Sequence, residues 1–369
     1  AFGTAVACGN FNGDAFADLA VGSPFDSDGG IVAGAVNVIY GGAGGLSATN
    51  VPNDQIWHQT SAGIDDNAGM ADAFGTALEA GDFNNDGRDD LAIGVPHETV
   101  NAVSGAGAFH MLLGGANGLT ATGTRFFVEG SSTGVAGVLG TPQTDDAFGS
   151  ALASGDFDND GFFDLAVGIP SQKVGGSEGA GAVQIFYGTG TGLDAARDKV
   201  FNQDTSGILE QADSMDPGGG IKDGEGFGLA LAAGRFNADG VWDLAIGAPN
   251  EDLVTSEEGV VHILYGVAAQ GIKATGNKLF KQGSNTLLDA AEEGDHFGFG
   301  LAAGDFNADG RDDLAIGVPG EVIGAAENTG AVVVLKNGGT TGNKFWHQNK
   351  TSIKDSCETG DAFGTALTP

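Results

Sequence analysis

The chain of 369 residues has little cysteine, methionine, proline or positive charge. It contains 2 Cys, 3 Met and 9 Pro, and its 15 Lys and Arg face 49 Asp and Glu, which gives a net charge of -34. Two cysteines cannot form a disulfide framework. No apolar run reaches the length of about 18 residues that a membrane-spanning helix needs. The negative charge would repel a phosphate backbone, so nucleic acid is not expected as a partner.

The two cysteines are not expected to join. Cys8 follows a Phe-Gly step by six residues, and Cys357 precedes another such step by six. A strand rises about 3.3 Å per residue, which places Cys8 roughly 20 Å from the start of its strand. A disulfide needs Cα atoms within about 7 Å of each other. We therefore predict no internal bridge.

What the chain does contain is a repeat, together with 67 glycines. A Phe-Gly step is followed by an acidic loop and then by Asp-Leu-Ala-(Val/Ile)-Gly-x-Pro. Five complete copies begin at Phe2, Phe74, Phe148, Phe227 and Phe297, and a sixth Phe-Gly step stands at Phe363. A period of 66 to 79 residues predicts units that bury their apolar faces against their neighbours.

The second repeat predicts four short antiparallel strands, at Gly75–Ala80, Asp90–Gly94, Gly107–Gly114 and Arg125–Glu129. Four such strands form the blade of an all-β propeller. A β-solenoid with calcium-binding turns is the competing architecture, but its repeats are much shorter. We predict a single propeller domain over residues 1–369, with repeats at about 1–72, 73–146, 147–225, 226–295 and 296–360 and an extra first strand at 361–369.

The motif set resembles the FG-GAP repeat family, which forms the propeller of integrin α-subunits and occurs in many secreted bacterial proteins. The resemblance is carried by Phe74-Gly75, the acidic loop 82–90, Gly94-Val95-Pro96 and Gly247-Ala248-Pro249. It implies that the acidic loop joins the first two strands on one face and that partners dock on the other. Integrins close seven blades, so the five repeats here form either a five-bladed propeller or part of a seven-bladed one.

The acidic loops follow the pattern D-x-[DN]-x-D-G-x-x-D, whose side-chain oxygens suit Ca²⁺. One loop would be explained equally well as a polar turn, but recurrence at one point of the repeat favours metal binding. Arg235 replaces the first ligand in copy four, where we expect it to pair with Asp239 and Asp243 and to exclude an ion. We therefore predict four Ca²⁺ ions, held by Asn10, Asn12, Asp14 and Asp18; by Asp82, Asn84, Asp86 and Asp90; by Asp156, Asp158, Asp160 and Asp164; and by Asp305, Asn307, Asp309 and Asp313.

No catalytic residue is predicted. The sequence has no Gly-x-Ser-x-Gly elbow, phosphate-binding loop or zinc motif. Histidines such as His110 and His262 recur at one position of the third strand, where other repeats have Asn37 and Gln184, and this recurrence favours a structural role. An active site formed by loops of different blades stays open, because the sequence does not pair residues across blades.

The sequence thus predicts a non-catalytic, calcium-stabilised propeller, secreted or at the cell surface, that binds a protein or a glycan through its loops. The candidate loops are Pro24–Ala33, Pro249–Glu258 and Ser206–Gly226. The alternatives are a lectin, a propeller associated with a hydrolase, and a unit of a strand-exchanged assembly. In the last case Asp361–Leu367 adds to another molecule, while Phe2–Ala7 keeps the inner position of the first blade.

Overall fold

A computed structural model of the chain describes residues 1–64, 66–130, 135–210, 224–253, 255–283, 287 and 289–367. The chain forms a five-bladed β-propeller in which every blade is a four-stranded antiparallel sheet, so the predicted fold class is confirmed. Most of the long connection Ser206–Gly226, which was predicted as a specificity loop, lies outside the described residues.

The strands follow one another in chain order within each blade. The first blade contains β1 (Val6–Gly9), β2 (Asp18–Ser23), β5 (Ala35–Ile39) and β6 (Gln55–Trp57), with a small hairpin of β3 (Ser27–Asp28) and β4 (Ile31–Val32). The second contains β7 (Leu78–Gly81), β8 (Asp90–Val95), β9 (Ala108–Leu113) and β10 (Thr120–Phe127). The third contains β11 (Leu152–Gly155), β12 (Asp164–Ile169), β13 (Ala182–Tyr187) and β14 (Asp194–Phe201). The fourth contains β15 (Ala230–Gly234), β16 (Asp243–Ala248), β17 (Val260–Tyr265) and β18 (Lys273–Phe280). The fifth contains β19 (Leu301–Gly304), β20 (Asp313–Val318), β21 (Ala331–Leu335) and β22 (Lys344–Trp346), with a 3₁₀ turn at Lys336–Gly338.

The chain packs as two compact units. The first comprises residues 1–156, 161–169 and 184–200, and the second comprises residues 157–160, 170–183 and 201–369. The first unit contains all strands of the first two blades, and the second contains all strands of the fourth and fifth.

The boundaries of two predicted strands were wrong. In the second blade the first strand begins at Leu78 rather than at Gly75, because Gly75 adopts a left-handed φ of 89° and starts a turn. The outer strand starts at Thr120 rather than at Arg125. A register irregularity between Thr120 and Arg125 interrupts its pairing with β9. Because of this irregularity, the first half of the strand does not show the alternation of apolar and polar residues by which a strand is predicted.

A close backbone approach explains the glycine in the recurring Leu-Ala-Ile-Gly run. A Cβ atom placed on Gly94 would lie 2.1 Å from the carbonyl oxygen of Gly149, at the start of the third blade. Gly149 has a φ of 91°, a conformation that only glycine adopts readily. The two glycines therefore allow the third blade to start directly against the middle of the second.

The acidic loop of every blade is a hairpin closed at a fixed register. Gly81 pairs with Asp90, and the same glycine–aspartate pair closes the other four loops. The last acidic residue of each motif is thus also the first residue of the second strand. This register holds it under the loop rather than at its tip.

Each blade covers a phenylalanine of the blade before it. The loop phenylalanines Phe11, Phe83, Phe157 and Phe236 are at most 2% exposed, whereas Phe306 of the fifth blade is 53% exposed. In the second unit, Phe236 packs in one cluster with Leu314 and Leu335 of the fifth blade.

The two copies of Ala-Phe-Gly-Thr-Ala lie at different places. The N-terminal copy belongs to the first blade, where Gly3 donates to the carbonyl of Gly22 and Gly22 donates to that of Ala5. The C-terminal copy lies against the fifth blade, where Phe363 forms a parallel bridge with Gly330. Phe74 forms the same bridge with Gly34 at the start of the second blade. The C-terminal segment thus takes the position at which a following blade would begin.

Cys8 and Cys357 are both free thiols. Among the described residues, no helix has the length and the apolar character needed to cross a membrane.

A pair of substitutions in the second unit tests whether the covering blade stabilises the fold. Phe236→Ala should lower the free energy of unfolding by about 3–5 kcal/mol, because it leaves a cavity under the fifth blade. Phe306→Ala removes a largely exposed ring and should change it by less than about 1 kcal/mol. Urea denaturation of both variants measures the difference, and equal losses would contradict the packing described here.

Candidate metal centres and binding cleft

In the acidic loops of the second and fifth blades, the first aspartate accepts the same two backbone hydrogen bonds. Asp82 accepts the backbone N–H groups of Asp86 and Gly87 at 2.9 Å each. Asp305 accepts those of Asp309 and Gly310 at 3.0 and 2.8 Å. The carboxylate of the first acidic residue is therefore held inside its own loop by hydrogen bonds from the loop backbone.

The last residue of the second loop, Asp90, is completely buried. Its Oδ1 accepts the N–H of Gly114 at 2.8 Å, but its Oδ2 has no hydrogen-bond partner. Burial, together with the nearby charges of Asp82 and Asp86, raises the pKa of Asp90 to about 7. A buried acceptor surrounded by carboxylates has the chemistry of a cation ligand.

The loop of the third blade brings three carboxylates together. Asp156, Asp158 and Asp160 each offer an oxygen, and these oxygens lie within 4.8 Å of one another. Asp164 is buried as the first residue of β12, and its Oδ1 accepts the N–H of Gly188 at 2.9 Å. Oxygens on one Ca²⁺ ion, each 2.3–2.6 Å from it, are separated by up to about 5 Å. The spacing of this cluster therefore fits one ion.

The first loop is arranged differently at its start. Asn10 donates its amide to the backbone carbonyl of Asp14 at 3.0 Å, where an aspartate would accept. Asn12 contacts Asp14 through its amide nitrogen at 3.0 Å, and Asp18 is buried beneath the loop. Burial raises the pKa of Asp18. The four predicted residues are adjacent, but they present fewer anionic oxygens than the other loops.

The prediction that Arg235 pairs with Asp239 and Asp243 was wrong. Its Nε lies 3.8 Å from Oδ2 of Asp312 in the fifth blade, and its guanidinium lies over the ring of Trp242 at 5.3 Å. The backbone N–H of Arg235 also binds Asp312, at 2.7 Å. The neighbouring blade thus supplies the carboxylate of Asp312, which the local sequence does not indicate, and the loop's own Trp242 supplies the aromatic face. No acidic side chain stands at the first position of this loop.

The fifth loop has a cation of its own nearby. The Nζ of Lys336 lies 3.0 Å from Oδ2 of Asp309 and lowers the pKa of that carboxyl. Asn307 donates its amide to Asp313 at 2.7 Å. The ammonium group is exposed on the 3₁₀ turn, so it can leave Asp309 when a divalent ion binds.

Sequence reasoning missed a second acidic set, at the other end of the blade strands. In the first unit, the amide nitrogen of Gln59 lies 2.8–3.1 Å from carboxylate oxygens of Asp66, Asp72 and Glu98. Glu98 follows the Gly-x-Pro that ends the second strand, and Asp72 precedes Phe74 of the Phe-Gly step. The recurrence of a glutamine after the outer strand was the signal that could have revealed it.

These acids form the floor of a cleft of about 720 Å³ in the first unit. Asp72 and Glu98 are buried, and burial together with the charges of Asp66 and Asp72 raises the pKa of Glu98 to about 9. Apolar side chains complete the walls, and exposed residues form the rim. The lining residues are Ile64, Asp66, Asn67, Gly69, Met70, Asp72, Glu98, Thr99, Val100, Asn101 and Phe126.

A protein-family comparison identifies the repeat. The model described as "FG-GAP repeat" matches residues 2–36, 74–110, 148–186, 227–264 and 297–335, which together are just over half of the chain. The chain belongs to the FG-GAP repeat family. The five matches contain the five acidic loops and the first two strands of each four-stranded sheet, and each match ends in the third strand of that sheet.

Curated FG-GAP relatives fall into two groups of named proteins. Phosphatidylinositol-glycan-specific phospholipase D of Bos taurus is 32% identical over 212 residues, which are 56% of this chain and 22% of that protein. Integrin alpha-5 of Xenopus laevis is 31% identical over 271 residues, which are 71% of this chain and 21% of that protein. Integrin alpha-PS2 of Drosophila melanogaster is 27% identical over 286 residues, 75% of this chain and 17% of that protein. This FG-GAP chain thus spans about a fifth of the length of its curated relatives.

The third-strand histidines of this FG-GAP chain are core residues. His110 is completely buried and packs on Phe126 with ring centroids 4.6 Å apart, and its Nε2 lies 3.0 Å from Asp66. His262 is also completely buried, and burial lowers its pKa to about 4. Neither ring has access to a substrate in solution.

Glu79 is a further titratable group that the sequence did not single out. It lies on β7, and its Oε1 accepts hydrogen bonds from Oγ of Ser154 at 2.7 Å and from the backbone N–H of Ser154 at 3.2 Å. Loss of solvation raises the pKa of Glu79 to about 7 from its ordinary 4.5. The folded state therefore holds a proton here in a pH range where the unfolded chain does not.

Glu79→Gln tests this pKa, since glutamine accepts the same bonds from Ser154 without titrating. The folded carboxyl binds its proton below about pH 7 and the unfolded one below about 4.5, so the wild type gains stability as the pH falls through that range. The variant should be more stable than the wild type at pH 8, and the difference should vanish by pH 4. Urea denaturation at the two pH values measures it. An equal difference at both would contradict the raised pKa.

Proposed function

We propose that this FG-GAP chain is a calcium-stabilised, non-catalytic propeller that works outside the cell and binds a protein ligand through the acidic cleft in its first unit. The acidic cleft is defined by the lining residues given above. The observation that carries the proposal is that cleft, because it combines an acidic floor with apolar walls at the end of the blades opposite the metal loops. The large net negative charge suits an exposed, soluble surface.

Four Ca²⁺ ions in the first, second, third and fifth loops are part of the proposal. The buried, unpartnered Oδ2 of Asp90 and the close carboxylates Asp156, Asp158 and Asp160 support it. In the fourth loop Arg235 stands at the first ligand position, where it brings a positive charge. Extracellular calcium modules typically bind with dissociation constants of 10⁻⁴–10⁻³ M, so a secreted or cell-surface location would keep such sites filled.

A matched pair of loop variants tests these ions. Asp86 and Asp239 take the same loop position, and each accepts the backbone N–H two residues on, at 3.0 and 2.9 Å. Asp86→Asn should lower the Ca²⁺ count by one and lower Tm in calcium. Asp239→Asn should leave the count unchanged, because its loop is expected to be empty. Calorimetric titration gives the count.

Removing calcium should lower the Tm of the wild type more than Asp86→Asn does. An ion at a hundredfold excess over its Kd stabilises the native state by about 2.7 kcal/mol, and a chelator removes every such contribution. Thermal scans with and without EGTA measure the shift. An unchanged melting curve in chelator would mean that the acidic loops are only turns.

The cleft supports a protein ligand with a basic side chain. Its volume of about 720 Å³ falls within the range of typical ligand pockets, about 300–1,000 Å³. Asp66, Asp72 and Glu98 have no arginine or lysine partner among the described residues. An ammonium or guanidinium group that enters the cleft would meet carboxylates below and the exposed Met70 at the rim.

A rim substitution tests the cleft as the binding surface. Thr99→Arg places a long cation over the acidic floor and should abolish binding to arrayed lysine- and arginine-containing peptides. Thr49→Arg introduces the same charge at an exposed threonine outside the cleft and should leave binding intact. Surface plasmon resonance of the best peptide against both variants measures the loss, and equal effects would contradict the proposal.

Two other activities are outcomes of the same experiments. A lectin would bind a glycan array through hydroxyl groups, and Thr99→Arg would then remove glycan binding instead of peptide binding. A hydrolase-associated role follows from the similarity to a phospholipase D. Phosphodiesterase activity of the chain by itself would support that role and contradict the non-catalytic proposal.

A further inference from the structure

The second unit contains an acidic set that matches the cleft floor in spacing. Gln282, Asp289, Asp295 and Glu321 stand at the junction of the fourth and fifth repeats where Gln59, Asp66, Asp72 and Glu98 stand at the junction of the first and second, with identical intervals between the four residues. The amide of Gln282 donates to Oε2 of Glu321 at 2.7 Å, as that of Gln59 does to Glu98 at 2.8 Å. The two sets therefore share the same spacing and the same glutamine–glutamate hydrogen bond. The positions at which their residues differ can be compared directly.

The charges of the two sets differ. In the second repeat, Nε2 of His110 lies 3.0 Å from Oδ2 of Asp66. The matching third-strand position in the fifth repeat is Val333, since both residues pair with the isoleucine of the second strand. The junction of the fourth and fifth repeats also adds a carboxylate, Glu292, where the junction of the first and second has Gly69. The set in the second unit thus has one more carboxylate, and Val333 takes the place of the histidine.

Three of these carboxylates converge. Oxygens of Glu292, Asp295 and Glu321 all lie within 4.8 Å of one another, and no described lysine or arginine forms an ion pair with them. A backbone hydrogen bond holds the segment of Asp295 next to the segment of Glu321, because the N–H of Gly320 donates to the carbonyl of Asp295 at 3.1 Å. A Cβ on Gly320 would lie 1.7 Å from the carbonyl oxygen of Gly294, so only glycine permits this contact.

Unpartnered buried oxygens point to a ligand at this cluster. Asp295 is completely buried; its Oδ2 accepts the N–H of Glu292 at 2.7 Å, and its Oδ1 has no hydrogen-bond partner. Gln282 is 3% exposed, and its Oε1 also lacks a donor. These buried oxygens without hydrogen-bond donors indicate a missing positive charge.

We propose that Glu292, Asp295 and Glu321 bind one divalent cation, in a site separate from the acidic loops. Carboxylate oxygens without sulfur or imidazole ligands select a hard ion of the Ca²⁺ class. The 4.8 Å limit on the oxygen separations fits ligands at about 2.4 Å from a common Ca²⁺. Glu292 is exposed, so solvent has access to the ion and water completes its coordination.

The ion would stabilise the connection that leads from the fourth blade into the fifth. Glu292 and Asp295 lie just before Phe297 of the Phe-Gly step, and Glu321 follows the second strand of the fifth blade. A cation bound to all three cross-links the two segments. None of the three ligands belongs to an acidic loop, so binding at this site does not depend on the proposed loop ions.

Glu292→Gln tests the site, with Glu293→Gln as the matched control. Both glutamates are exposed neighbours, but only Glu292 belongs to the cluster. In native mass spectrometry with added Ca²⁺, Glu292→Gln should bind one ion fewer than the wild type, and Glu293→Gln should bind the same number. Combined with Asp86→Asn, Glu292→Gln should remove a second ion, which separates this site from the loops.

A crystal soaked in Mn²⁺ provides the direct measurement, as an anomalous peak among the three carboxylates. Unchanged ion counts in Glu292→Gln, or an equal loss in Glu293→Gln, would overturn the proposal. In that case the buried carboxyls hold protons rather than a metal ion. Far-UV circular dichroism of both variants verifies that a lost ion does not reflect a lost fold, which is expected because neither side chain is buried.

Discussion

The fold depends on one constraint, the close packing of each blade on the start of the next. Phe74, Phe148, Phe227 and Phe297 are completely buried where one blade meets the next. The backbone contact between Gly94 and Gly149 leaves no room for a side chain. Because the phenylalanine and the glycines serve one junction, they recur together in the sequence. Phe306, the matching loop phenylalanine of the fifth blade, is 53% exposed, whereas those of the other blades are buried.

This junction also places the two ends of each blade in different chemical environments. At one end, the hairpin register buries the last acidic residue beneath its own loop, where the lost solvation makes a bound cation favourable. At the other end, the residues after Gly-x-Pro meet those before the next Phe-Gly step, and pairs such as Asp72 with Glu98 or Asp295 with Glu321 become neighbours. Both ends thus concentrate carboxylates, and among the described residues only some of these carboxylates form ion pairs with the chain's own basic residues, as Asp309 does with Lys336.

Regular repeats also make the irregular positions easy to recognise. His110 beside Asp66 and Val333 without a matching acid–histidine pair occupy the same position of two blades, yet their surroundings differ in charge. Arg235 replaces an acid in one loop and then binds the carboxylate of the neighbouring blade. Because the blades share one architecture, these differences in side chain and charge at equivalent positions indicate where individual blades have separate roles.

The sequence by itself determined the repeat, the four-stranded blades and the position of the acidic loops. It did so because period, turn residues and strand alternation are local properties of the chain. It misplaced the start of the first strand near Gly75 and the partner of Arg235, which depend on a left-handed φ and on Asp312 of the next blade. The tertiary structure alone assembled the cleft floor and the cluster of Glu292, Asp295 and Glu321. Their members belong to different segments that meet only when one blade packs on another, and burial then changes their pKa values.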